Sequence, residues 1–149
     1  MIDLVALLFS TAVGLSFGTM QTKILAAVSA SYFIAQRFTM SFADLSYREV
    51  IIACIASEMM ICCLVASRSI TGRAFAALFF PQIIAFAAFQ HGAIELVTMA
   101  NVQTVFVYLQ LLIIIGRGIS DGFKSGVFNS VGFAHRRDGA ASEKIRSGD

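Results

Sequence analysis

From Ile2 to Gln36 the chain is almost unbroken in its apolar character, and small residues recur in it at every fourth position: Ser10, Gly14, Gly18, Thr22, Ala26 and Ala30. On a helix, positions four apart share one face, one above the next. In water such a stripe makes a weak helix face, because glycine lowers helix propensity by about 0.8–1 kcal/mol relative to alanine and small side chains bury little. In lipid, helices associate through close backbone approach, which small-xxx-small faces allow. The stripe is therefore read as a helix-packing face within a membrane.

Composition leads to the same place. Of the 149 residues, 58% are hydrophobic and 13% charged, with a mean hydropathy of +0.81. Soluble domains carry about 25% charged residues, and a chain this short cannot hide so much apolar surface in one core. The expectation is an all-α integral membrane helical protein in a lipid bilayer. Asp3 stands where a cleavable leader carries basic residues, so the first run is expected to be kept as a mature element. Six of the 11 Lys and Arg residues lie from Arg117 onward, which assigns the C-terminal end to the cytoplasmic side. Acidic residues are interspersed in that tail, and no nucleic-acid partner is expected.

About four transmembrane helices are expected, over 4–36, 50–66, 74–90 and 96–116. The first admits two readings. As one helix it would be about 50 Å long, more than the hydrocarbon core of about 30 Å, and would tilt or project. Broken near Gln21 to Lys23, it would form a hairpin with spans at about Leu4–Met20 and Ile24–Met40. The unbroken stripe favours one long N-terminal helix, whereas Lys23 favours two; the single helix is preferred because the second half of a hairpin would carry Arg37 well inside it.

The segment Thr39–Glu49 offers Asp44 and Ser46 as N-caps, with Glu49 as a capping-box partner for Ser46. Ser67–Arg73, bearing Arg68 and Arg73, reads as a cytoplasmic turn. Pro81 should kink the 74–90 span, since it removes a backbone hydrogen bond and clashes with the preceding turn. Gln90–Glu95 has no Lys or Arg and suits the outer side. After Arg117, Gly118, Gly122, Gly126 and Ser130 repeat the fourfold spacing beside Ile119, Phe123, Val127 and Val131. Residues 118–134 are accordingly expected to lie on the interface or to dock against another subunit, and 135–149 to form a polar tail.

Glu58 is the most informative residue for function. An ionisable group in mid-span costs about 2.5–3.5 kcal/mol on insertion scales, so it should face the bundle or a wet cavity. Cys54, Glu58 and Cys62 share a helix face, but without a second cluster or paired histidines they do not make a metal site. All three cysteines, Cys63 included, lie in this one apolar segment, so no disulfide framework is implied. Gln103, Gln110 and Arg117 recur at heptad spacing as a polar seam on the last span. With antiparallel spans, Glu58, Gln82 and Gln110 reach comparable depth and could meet. They serve either as interhelical hydrogen-bonding groups or as a hydrated lining. His91 and His135 have no catalytic companion at a suitable spacing, and no phosphate loop, nucleophile elbow or metal signature occurs.

From Tyr47 to Arg117 the order of features, namely Glu58 in mid-span, an Arg-bearing turn (Arg68, Arg73), a span with Gln82 and a closing span with Gln110 and Arg117, resembles that of small bacteriophage-encoded multi-spanning membrane proteins. The resemblance implies a holin-like protein or a virion membrane component. The function expected is that of a non-enzymatic membrane protein, without cofactor or metal, which forms a homo-oligomer or part of a larger complex, structural or pore-forming. The alternative is a proton- or ion-coupled transport element that uses Glu58.

Overall fold

A computed structural model describes residues 4–42 and 45–126. Six helical segments follow one another: α1 (Leu4–Phe17), α2 (Met20–Phe42), α3 (Leu45–Ala66), α4 (Ile70–Ala77), α5 (Phe79–Gln90) and α6 (Leu96–Lys124). Only Leu78 separates α4 from α5, and its backbone stays right-handed helical, so these two form one interrupted helix and the fold has five helices. No strand occurs among the described residues.

The single long N-terminal helix does not form. The chain leaves helical geometry at Gly18–Thr19, a few residues before the break considered at Gln21–Lys23, and reverses. Positions on the small stripe then face one another across the reversal. A methyl group built on Gly14 would lie 2.9 Å from Cβ of Ala26, and one built on Gly18 would meet the Thr22 side chain at 2.6 Å. A connection of two residues brings helix axes together only where such side chains are missing, so the glycines that suggested one helix packing on a partner instead permit a hairpin.

Further pairings set direction. Gly118 lies against Val13 and Gly14 against Ile114, while Thr19 meets Asp121, so α1 and α6 run the same way. Short links at Ser67–Ser69 and His91–Glu95 reverse the chain between later helices, and α2 packs antiparallel against α3. One end of the bundle therefore collects the α1–α2 break, the Ser67–Ser69 link and the end of α6.

Proline acts upstream of itself. Pro81 offers no N–H to the carbonyl of Ala77, and the helix breaks at Leu78, whose N–H turns to Phe75 O at 3.2 Å, one residue nearer than an α-helical bond. At the next link, Ser69 caps α4 by accepting from the Gly72 N–H at 3.1 Å. The α5–α6 turn uses Gly92 at φ +70, in the left-handed region that glycine occupies without strain.

The main core joins all five helices around Phe75, Phe79 and Tyr32, whose rings meet edge to face. A smaller cluster of Ile52, Ala85, Phe86 and Met99 fills the other end. Large apolar side chains also cover the outside, among them Phe38, Ile61, Val65, Phe80, Val97, Val105 and Leu112. Among the described residues, three helices are long and apolar enough to cross a membrane: Tyr47–Ala66, Ile70–Gln90 and Leu96–Lys124. Only 22% of the apolar window in the first is buried within the chain, so its hydropathy is not explained by the core. At 14 residues α1 is shorter than a span, and α2 carries Lys23 and Arg37. The last helix does not stop at Gly116 but continues to Lys124, so residues 118–124 are its final turns and pack on the first hairpin; residues 127–134 of the expected docking segment, and the 135–149 tail, lie outside the described residues.

Candidate functional site

Polar side chains gather at two places inside the bundle, and each follows from a break in a helix. At the first, a chain of contacts crosses three helices. Tyr32 of α2 donates its hydroxyl to Gln82 Oε1 at 3.3 Å, Gln82 Nε2 reaches Gln110 Oε1 at 3.5 Å, and Gln110 Nε2 reaches the Phe75 carbonyl at 3.5 Å. Gln82 Nε2 also donates to the Leu78 carbonyl at 2.9 Å. Leu78 is the interruption and Phe75 lies in the turn before it, so both glutamines turn their amides onto backbone carbonyls at or next to the break. Gln103 lies two turns from Gln110 and beside the Tyr32 hydroxyl, and its buried Nε2 has no hydrogen-bond partner among the described residues.

The second place is the α1–α2 break. Asp121 of α6 is buried there, and its Oδ2 accepts from Thr22 Oγ1 at 2.7 Å, Thr19 Oγ1 at 3.1 Å and the Thr19 backbone N–H at 3.1 Å. Arg117, one turn earlier on α6, lies 3.8 Å from Oδ1. A carboxylate from a distant helix thus caps the start of α2, where unpaired N–H groups and the helix dipole favour negative charge. Sequence reasoning did not single out Asp121. The available signals were its i, i+4 spacing from Arg117 and the hydroxyls of Thr19 and Thr22 beside a glycine.

The residues expected to share an intramembrane polar site therefore divide. Gln82, Gln103 and Gln110 come together in the interior, whereas Arg117 leaves their seam for Asp121. Glu58 does not join them and does not face the bundle: it is exposed on the outward face of α3, with Cys54 and Cys62 exposed one turn to either side and Ile61 and Val65 nearby. Cys63 is turned inward and fully buried. Of the expected packing residues, Ser10, Gly14, Thr22, Ala26, Gly118 and Gly122 are buried within the chain, Gly18 and Ala30 are half-buried, and Gly126 follows α6 at φ +73. Among the described residues no three His, Cys, Asp or Glu side chains gather as a metal-ligand set.

A cleft of about 270 Å³ opens between α3 and α5 near the end opposite the Asp121 junction, with Glu49, Cys54, Ser57, Phe86, Gln90 and His91 on its walls. Comparison with known proteins adds no further assignment: no protein-family model, curated protein or solved structure matches the chain.

Proposed function

We propose that the chain is a non-enzymatic integral membrane protein that oligomerises, and that copies meet through the outward face of α3. The observation that carries this reading is Glu58, exposed in the middle of a helix long and apolar enough to cross a membrane. Left against lipid, such a group costs about 2.5–3.5 kcal/mol. A second copy related by a two-fold axis along the membrane normal sets Glu58 opposite its counterpart. The two side chains then face each other rather than lipid. Cys62 is small enough to let the backbones approach, while Cys54 lies on the wall of the cleft beside α5.

The resemblance to small phage membrane proteins supports a structural or pore-forming part, placed in a bacterial inner membrane with its C-terminus cytoplasmic. Oxidation of native membranes tests the contact directly. Disulfide-linked dimers through Cys62 are expected and should disappear in Cys62→Ala, whereas the buried Cys63 should not substitute for it. A wild-type chain that remains monomeric in mild detergent and uncrosslinked in the membrane overturns the reading; a second protein copurifying at fixed ratio gives the face to a foreign helix instead. The transport reading rests on the same carboxyl being reachable at mid-depth. In proteoliposomes it requires a flux that Glu58→Gln abolishes while the oligomer persists.

A further inference from the structure

We propose that the cleft between α3 and α5 binds a primary ammonium group, carried by an aminolipid headgroup or by a free alkylamine. Glu49, on its wall, is only 6% exposed, yet no described residue donates to its carboxylate or pairs with it. Glu49 is one of the residues that line the cleft. A buried acceptor without a donor is costly, and a ligand that supplies donors and positive charge removes that cost.

The other walls select the same chemistry. Ser57 spends its hydroxyl hydrogen on the Ala53 carbonyl at 2.8 Å, which leaves its oxygen to accept. Gln90 ends α5 on the cleft wall, at the negative end of that helix. Phe86 contributes an aromatic ring, which attracts cations. An ammonium carries three N–H donors and no acceptor, a match to the Glu49 carboxylate, while Ser57 lies eight residues, about 12 Å, deeper along the same helix. A quaternary ammonium has no donors to offer, and an anion meets both Glu49 and the wrong helix end. The volume, about 270 Å³, admits an ethanolamine-sized group. Glu49 lies near the start of α3 and Gln90 at the close of α5, so the cleft is at the end of the helices, the level at which headgroups lie.

Cys54, exposed and on the cleft wall, supplies a reporter. In full-length Cys62→Ala protein, with Cys63 buried, the rate of Cys54 alkylation by a neutral maleimide is followed as ethylammonium or tetramethylammonium chloride is added. Ethylammonium is expected to slow labelling in a saturable manner, and tetramethylammonium to leave it unchanged. Glu49→Gln should abolish this protection. Equal protection by the two cations, or protection that survives Glu49→Gln, overturns the proposal. Repeating the measurement in phosphatidylcholine and phosphatidylethanolamine vesicles separates the sources. Slow labelling in phosphatidylethanolamine that added ethylammonium no longer changes identifies the lipid, whereas unchanged response in both vesicles identifies a free amine. The readout uses a different cysteine from the oligomer test, so either can fail alone.

Discussion

Asp121 shows how much one side chain can organise in a protein of this kind. Its carboxylate holds two hydroxyls and a backbone N–H at the point where α1 gives way to α2, with Arg117 behind it. Hydrogen bonds to charged groups contribute about 1.5–3 kcal/mol, and removing a partner exposes the others as unsatisfied. Asp121→Ala is therefore expected to destabilise the detergent-solubilised protein by about 3 kcal/mol, read from its unfolding midpoint in denaturing detergent, with Asp121→Asn losing less because it keeps an acceptor oxygen. Gln82→Leu acts differently. It deprives the Leu78 carbonyl and the Tyr32 hydroxyl of their partners, and the expected loss in the same unfolding assay is about 1–2 kcal/mol. The glutamines could be picked out from sequence because amides in an apolar helix stand out by type. Asp121 could not, since an acid a turn from an arginine near the end of a hydrophobic run looks like an ordinary solvated ion pair until the helix break it caps is visible.

At the scale of helices, the small-residue spacing was legible while its partner was not. Fourfold spacing on a straight helix and on a hairpin folded at its midpoint gives the same sequence, because residues equidistant from the turn face each other. Gly14 touches both Ala26 of α2 and Ile114 of α6, and a methyl built on it would stand 2.7 Å from Ile114 Cγ2. Gly14→Leu and Gly118→Leu should each destabilise the monomer by roughly 1–3 kcal/mol through overpacking, whether or not the protein oligomerises. Gly116 is a control on the same helix. Nothing lies within 4 Å of the methyl its replacement adds, so Gly116→Ala should be neutral or stabilising by about 0.5–1 kcal/mol in the same unfolding assay. Pro81 was legible too, though the break it imposes falls three residues earlier, at Leu78, because the hydrogen bond it deletes belongs to the preceding turn.

For the molecule as a whole, the hairpin redistributes charge. Lys23, Arg68, Arg73, Arg117 and Lys124 collect toward one end of the bundle, and Arg37 and Arg48 toward the other. If the richer end is cytoplasmic, as the positive-inside rule requires, a reporter fused to the C-terminus should be active only in the cytoplasm and one inserted at Gly92 only outside. The reverse pattern would contradict the orientation.

Apolar composition, helical class, the presence of turns within Ser67–Arg73 and Gln90–Glu95 and the glutamine-bearing helices were determined by the sequence alone, because each depends on local residue type; the helices run further into both turns than local type indicated, to Gln90 and from Ile70. Tertiary structure decided where Ile2–Gln36 folds back, that its small face is used within the chain against α2 and α6, and that Glu58 points outward while Asp121 points in. Those outcomes depend on which helix covers which face. Spacing along a helix identifies the residues that share a face but is silent about the neighbour, and only packing assigns one.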